Sequence, residues 1–142
     1  MRIREAGPAD APAVSALLTE LGYPEDLAQV AARVEELGRD PASLLLVAEA
    51  DGDVVGLASA TTIPLLHEDG RLCRLSALVV TEKRRRGGAG RRLVEEVEAR
   101  ARTRGCRYLE VTSGERPERA AAHAFYEVLG LEQVSKRYLK EL

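Results

Sequence analysis

The chain has 142 residues, of which 45% are hydrophobic and 31% are charged, and its net charge at pH 7 is −2. This composition predicts one soluble globular domain over residues 1–142 and excludes a disordered chain. No apolar run approaches the roughly 20 residues of a membrane span, and the small net charge gives no general attraction to nucleic acid or to a membrane surface.

Hydrophobic periodicity predicts ten elements in the order β-α-α-β-β-β-α-β-α-β. They are a strand at 3–6, a helix between Asp10 and Gly22, a helix at 25–37, strands at 44–49, 54–60 and 72–80, a helix at 89–104, a strand at 107–112, a helix at 117–129 and a strand at 131–142. Asp10 is expected to be the N-cap of the first helix, and Gly38 to end the second. Asp51-Gly52-Asp53 is typical of a tight hairpin turn.

The strand–helix–strand segment at 72–112 predicts a crossover between two parallel neighbouring strands. The earlier strands are joined by short turns and are expected to be antiparallel. The sequence therefore predicts a single α/β (or α+β) domain with a mixed, mostly antiparallel sheet and flanking helices.

A glycine-rich basic turn, Arg-Arg-Gly-Gly-Ala-Gly at 85–90, joins an apolar strand to the next helix. Backbone N–H groups in such a turn, with the free N–H groups of the first helical turn, form a site for a phosphorylated ligand. The segment lacks the Lys-Ser/Thr of a Walker A loop, and Leu93 occupies the third glycine position of a dinucleotide fingerprint. The alternative is a surface loop whose glycines only turn the chain.

Six cations lie within residues 83–92, in a chain that is otherwise acidic. They could form a nucleic-acid patch, but no aromatic residues for base stacking lie among them. Cations at a helix N-terminus are unfavourable unless an anion binds nearby. The cluster therefore favours a phosphate site, with no nucleic-acid partner.

Arg85-x-x-Gly88-x-Gly90 resembles the Gln/Arg-x-x-Gly-x-Gly/Ala signature of the GNAT superfamily of N-acetyltransferases. Residues 51–56 are similar to the second hairpin of that family, and residues 122–131 to its C-terminal helix motif. The resemblance spans nearly the whole chain. It implies an acetyl-CoA-dependent enzyme that acetylates a primary amine of a small molecule or a protein, with a homodimer as a possible assembly.

The resemblance also implies where acetyl-CoA binds. The pyrophosphate would lie on the N–H groups of residues 85–91, and the pantetheine arm along the backbone of residues 78–80. Arg119 occupies a position where the family usually has asparagine, and it could reach a cofactor phosphate or an acidic substrate. The implied cofactor-binding residues are Leu78, Val79, Val80, Arg85, Arg86, Gly87, Gly88, Ala89, Gly90, Arg91 and Arg119.

Tyr126 matches the family's usual proton donor to the departing thiolate, although by residue type alone it could be a core residue. A backbone N–H near Val79 or Val80 would stabilise the oxyanion. Family members often carry a glutamate on the strand before the pyrophosphate turn, whereas residues 74–80 contain no acid. His67, beside Glu68, and Glu110 are the two candidate bases, and transfer to water is the alternative.

The acceptor amine is open at this stage. The C-terminal helix is also similar to that of aminoalkylphosphonate acetyltransferases, which implies an anionic amine as one option. An acyl-CoA-binding regulatory module without turnover and a nucleic-acid-binding protein are the competing functions. Two isolated cysteines, Cys73 and Cys106, have no metal-ligand spacing and are typical of the cytoplasm, so no metal site is expected.

Overall fold

The computed structural model describes residues 1–112, 120–135 and 137–142. The strands are β1 (Arg2–Glu5), β2 (Ser43–Ala50), β3 (Asp53–Pro64), β4 (Arg71–Val80) and β5 (Cys106–Val111). The α-helices are α1 (Ala11–Leu21), α2 (Leu27–Arg39), α3 (Ala89–Thr103) and α4 (Ala120–Val128), and 3-10 turns occupy Pro8–Asp10 and Glu82–Arg84. Contacts divide the chain into two compact units, 1–110 and 111–142.

The sheet has the order β1-β2-β3-β4-β5. The first four strands pair antiparallel with their neighbours in sequence. The start of β5 lies beside the start of β4, because the amide of Arg71 donates to the carbonyl of Gly105 at 3.1 Å. These two strands therefore run parallel, and the predicted mixed sheet with its α3 crossover is confirmed.

Helices cover both faces of the sheet in the first unit. Val14 and Leu17 of α1 and Val30 and Val34 of α2 pack in one cluster with Val47, Leu57 and Val79 of the sheet. Side chains alternate along a strand, so Gly56 points to the opposite face. A Cβ on Gly56 would lie 3.1 Å from Leu93 Cδ1 of α3. The sheet therefore packs against α1 and α2 on one side and α3 on the other.

Two turns follow from the residues predicted to form them. Asp51 and Gly52 have φ values of 53° and 82°, the two positive angles of a type I′ hairpin turn. Gly22 ends α1 with φ 105°, the left-handed conformation that favours glycine at a helix C-terminus.

Three local predictions differ from the structure. Asp10 occupies the predicted N-cap position of α1 but makes no capping hydrogen bond to that helix, because its carboxylate accepts from the guanidinium of Arg4 and from the amide of Gly7 instead. Gly38 lies within α2 and does not end it, since a helix tolerates a single glycine at modest cost. The predicted strand at 131–142 is absent from the described residues of that segment.

The apolar side chains of that C-terminal segment are exposed, as for Val134, Tyr138 and Leu139. A strand gains its stability from a hydrogen-bonded neighbour and from a buried face. These side chains bury little surface, so no strand forms over the described residues here. The predicted helix start at 117–119 lies outside the described residues. No helix of the described ranges is long and apolar enough to cross a membrane.

Candidate active site

The glycine-rich turn connects β4 to α3 through an unusual backbone path. Arg86 has φ 70° and Gly88 has φ 85°. A positive φ is strained for a residue with a Cβ, and such residues concentrate at functional sites. A Cβ on Gly87 would lie 3.2 Å from the carbonyl oxygen of Arg84, so glycine also suits this close approach. Glycine at positions 87 and 88 therefore suits the geometry of the turn, whereas Arg86 is held in a strained conformation.

The turn and the helix that follows present a group of free backbone donors. Within the described part of the chain, no hydrogen bond is made by the N–H groups of Arg86, Gly88, Ala89, Gly90 and Arg91. The first intrahelical bond of α3 runs from the amide of Arg92 to the carbonyl of Gly88 at 3.1 Å. These donors lie at the positive end of the helix dipole. Together they can bind a phosphate or pyrophosphate.

Most cations of the run bind protein groups. Arg84 pairs with Asp51 at 2.8 Å, and Arg85 Nε donates to the carbonyl of Val80 at 3.1 Å. Arg92 Nη1 donates to the carbonyl of Met1 at 2.7 Å. A nucleic-acid patch would instead leave its cations pointing to solvent. Within the described residues, Lys83 and Arg86 are both exposed and left to act on a ligand.

Two acidic side chains hold the entrance of the turn. Glu20, at the end of α1, accepts a hydrogen bond from the hydroxyl of Thr81 at 2.9 Å and from the amide of Glu82 at 3.0 Å. These two bonds, that from the Glu82 amide being the stronger cause, hold the pKa of the Glu20 carboxyl below its usual value. Asp51 in the hairpin turn holds Arg84, and that guanidinium lowers the pKa of Asp51.

Sequence reasoning missed Glu20. Its contact with the turn joins residues 62 positions apart, and no local sequence motif predicts such a contact. Asp51 was recognised only as a turn residue. The presence of Asp51 in a hairpin turn gives no sign that its carboxylate reaches Arg84.

The C-terminal end of β4 has one open edge. β5 begins beside Arg71 and has six residues, whereas β4 has ten. Residues 78–80 therefore extend past β5 and, within the described residues, have a strand partner only on the β3 side, through pairs such as Leu57 with Val79. Backbone groups on an open edge can pair with an extended ligand. This edge leads directly into the glycine-rich turn.

The structure separates the two candidate bases. His67 lies in the loop before β4, at the opposite end of that strand from the turn, and ten strand residues span roughly 30 Å. Its side chain is 75% exposed and lies 3.8 Å from Glu68. Tyr108 also hydrogen-bonds Glu68, and this raises the pKa of the phenol. Nothing in the described residues brings His67 to the turn.

Glu110 lies nearer, on β5 beside the middle of β4. Its Oε1 accepts a hydrogen bond from Arg74 Nε at 2.5 Å. Arg74 belongs to the strand segment that lacks an acid, so the carboxylate beside this segment belongs to the neighbouring strand. The Arg74–Glu110 pair therefore joins β4 to β5 four residues before the open edge at residues 78–80.

Tyr126 belongs to the second unit, on α4. It is half-buried, and its ring contacts Phe125 edge-on, with centroids 5.6 Å apart. His123 lies one turn earlier on the same helix. Arg119 lies outside the described residues.

Comparison with known proteins agrees with this arrangement. The model of the acetyltransferase (GNAT) family matches residues 12–131. No curated protein matches the chain.

Three solved structures have the same fold. A transcriptional regulator from Bacillus halodurans C-125 has a TM-score of 0.88 and 22% identity, with 99% of each chain covered. Aminoglycoside N-acetyltransferase AAC(6')-Iy in complex with CoA has a TM-score of 0.87 and 19% identity, with 99% of this chain and 93% of that chain covered. Ribosomal-protein-alanine N-acetyltransferase from Brucella melitensis biovar Abortus 2308 has a TM-score of 0.79 and 21% identity, with 100% of each covered.

At these identities the structural likeness shows the fold, and the family match shows the chemistry. The chain belongs to the GNAT family of acetyltransferases and is an N-acetyltransferase that uses acetyl-CoA.

Proposed function

We propose that the chain transfers the acetyl group of acetyl-CoA directly to a primary amine of a small molecule or a protein. The set of free N–H groups between Arg86 and Arg91 is the observation that carries this proposal. Those donors fit the pyrophosphate of CoA, because they converge at a helix N-terminus and have no competing partner within the described residues.

The open edge of β4 and the turn also indicate where the other parts of acetyl-CoA bind. The pantetheine arm pairs with the open edge of residues 78–80 like an added strand. Arg84 and Arg85 are engaged by Asp51 and Val80, so Arg86 is the side chain best placed to bind the 3′-phosphate. Arg91 also contributes positive charge, at 3.9 Å from Glu95.

The chemistry requires an oxyanion donor, a proton donor and a proton acceptor. The amine attacks the thioester carbonyl carbon, and a backbone N–H near Val79 or Val80 stabilises the resulting oxyanion. The C–S bond then breaks, and the hydroxyl of Tyr126 gives its proton to the thiolate. The proton lost by the amine goes to Glu110 or to water, since His67 lies at the far end of β4.

Both acceptor classes have precedent among the structural relatives. One relative is an aminoglycoside N-acetyltransferase and another is a ribosomal-protein-alanine N-acetyltransferase. A small amine and a protein amine are therefore both retained for this chain.

Release of free CoA in the presence of an amine panel tests the activity. We expect Tyr126→Phe to lower kcat by about 10²-fold, the usual size of a lost general acid, with little change in KM for acetyl-CoA. Tyr138→Phe is the matched control, because Tyr138 is 90% exposed. An unchanged kcat in Tyr126→Phe would remove Tyr126 from the mechanism.

Acetyl-CoA binding is tested separately by thermal shift and calorimetry. Arg86→Ala should weaken acetyl-CoA binding about tenfold, as expected for one charge-assisted contact to phosphate. Arg102→Ala, at the other end of α3, is the control and should bind normally. Binding without CoA release from any amine would favour the regulatory module, and competition by DNA at physiological salt would favour the nucleic-acid function.

A further inference from the structure

The middle of β4 carries a charged pair where apolar residues are expected. β4 lies between β3 and β5, and interior strands covered on both faces are usually apolar. The side chains of Arg74 and Glu110 are nevertheless 45% and 38% exposed. Ser76 is also exposed. This part of the sheet face is therefore open to solvent.

The strand register places Arg74 on the face that α1 and α2 cover elsewhere. Val79, opposite Leu57, is buried in the α1–α2 cluster. The register then shifts by one residue at a β-bulge, after which Arg74 lies opposite Thr61. Side chains alternate along β4, and the extra residue at the bulge returns Arg74 to the same face of the sheet as Val79. The helices thus cover the turn end of β4 and leave the Arg74 end accessible.

The pair retains unused hydrogen-bonding groups. Arg74 donates to Glu110 Oε1 through Nε, and within the described residues neither Nη atom of Arg74 has a partner, nor does Oε2 of Glu110. The two Nη groups form a planar fork that matches the oxygens of a carboxylate, phosphonate or sulfonate. A carboxylate oxygen accepts from an ammonium. The pair is neutral as a whole and offers one binding group of each sign.

We propose that Arg74 and Glu110 bind a zwitterionic amine as the acetyl acceptor, with the acid group on the Arg74 fork and the ammonium on Glu110 Oε2. This inference rests on the proposed function. A pantetheine arm that runs from the turn back along residues 80 to 78 directs the thioester toward the Arg74 end of β4. The amine held by Glu110 is then the nucleophile, and its proton passes to that carboxylate before attack.

Charge balance explains why both groups of the ligand are needed. A simple amine satisfies Glu110 and leaves the fork unused, whereas a simple anion meets the repulsion of Glu110. A zwitterion satisfies both groups without adding net charge to the site. The preference for a zwitterion over a ligand with a single charge should therefore exceed the sum of two weak contacts.

Calorimetric binding to the CoA-saturated full chain tests the inference without turnover. The probes are β-alanine and 2-aminoethylphosphonate, compared with propylamine and propionate. We expect the zwitterions to bind at least tenfold more tightly than either single-charge probe. Arg74→Gln should abolish this preference while retaining weak propylamine binding, and Arg74→Lys should retain part of it, because lysine keeps the charge without the fork.

Arg102→Gln is the matched control, since Arg102 forms an exposed pair with Glu98 on α3 and should leave the preference intact. Glu110→Gln should weaken both zwitterions and propylamine. Equal binding of all four probes by the wild-type chain, or no binding of any of them, would overturn the inference. A zwitterion preference without acetyl transfer would instead count against the proposed function alone.

Discussion

The carboxylate of Glu20 belongs to the last turn of α1, yet its hydrogen bonds go to Thr81 and Glu82 at the entrance of the glycine-rich turn. One side chain therefore links the first helix to the segment that we propose to bind pyrophosphate. Because it accepts from a hydroxyl and a backbone amide, we expect it to hold the turn in position rather than to contact the reacting atoms.

Removal of this link should affect cofactor binding and spare the chemical step. We expect Glu20→Ala to raise KM for acetyl-CoA about tenfold, the equivalent of roughly 1.4 kcal/mol, and to change kcat less than twofold. Glu20→Gln, which keeps one acceptor oxygen, should show a smaller increase. Initial rates at varied acetyl-CoA concentration measure both constants.

Glu36→Ala is the control for this variant, because Glu36 lies exposed on α2. A lower kcat at unchanged KM in Glu20→Ala would show that the carboxylate acts on the reaction itself, contrary to a positioning role.

Among the elements, α3 depends on a close approach to the sheet at Gly56. A Cβ there would lie 3.1 Å from Leu93 Cδ1 and 3.4 Å from the carbonyl oxygen of Val79. Leu93 is fully buried, so it has little room to move. This contact limits how far α3 lies from the sheet. Since α3 also carries the proposed pyrophosphate donors at its N-terminus, the same contact helps to position those donors.

We therefore expect Gly56→Ala to lower the free energy of unfolding by about 1–3 kcal/mol through overpacking. Gly38→Ala is the matched substitution, because no atom lies within 4 Å of a Cβ at that position of α2. It should raise the stability by about 0.5–1 kcal/mol, since alanine favours the helix. Urea unfolding of both variants measures the difference, and equal effects would contradict the packing argument.

Local sequence signals predicted most elements because they depend on residues close together in the chain. The type I′ turn at Asp51-Gly52 and the left-handed end of α1 at Gly22 are examples. The C-terminal strand failed for the opposite reason. Its formation requires a partner strand, and the sequence of residues 131–142 carries no information on whether one is present.

Across the whole molecule, a three-residue charged cluster joins β1, β2 and the start of α1. Arg4 donates to Asp10 at 2.8 and 2.9 Å and to Glu49 at 2.7 Å. The amide of Gly7 also donates to Asp10 at 2.7 Å. The guanidinium of Arg4 is the main cause that holds the pKa of the Asp10 carboxyl below its ordinary value near 3.8.

This cluster predicts a loss of stability in acid. The pKa of Asp10 is lower in the folded than in the unfolded chain, so its contribution is complete above about pH 4 and disappears as the pH falls through the folded value. Asp10→Asn should lower the free energy of unfolding by about 2 kcal/mol at pH 7. Denaturant unfolding at pH 7 and pH 2.5 should show the gap between variant and wild type closing in acid, and a constant gap would exclude this linkage.

In the site, as in the fold, features that depend on contiguous residues could be predicted and features that depend on long-range contacts could not. The turn at residues 85–90 could be predicted because its glycines, cations and flanking strand and helix are contiguous. Glu20 and the pairing of Arg74 with Glu110 could not, since each depends on strand register or helix packing over 36 to 62 positions. For Glu110 the residue was identified from sequence, but its guanidinium partner was not.

The backbone conformation of Arg86 affects how the stability of the chain can change through substitution. At φ 70° a glycine would be less strained than any residue with a Cβ. The chain nevertheless holds arginine there, flanked by a glycine that needs no positive φ. If Arg86 binds acetyl-CoA as we propose, stability and cofactor affinity are in opposition at this position: Arg86→Gly should leave the fold as stable or slightly more stable while weakening acetyl-CoA binding. Selection for thermal resistance alone would therefore tend to erode the site that the turn creates.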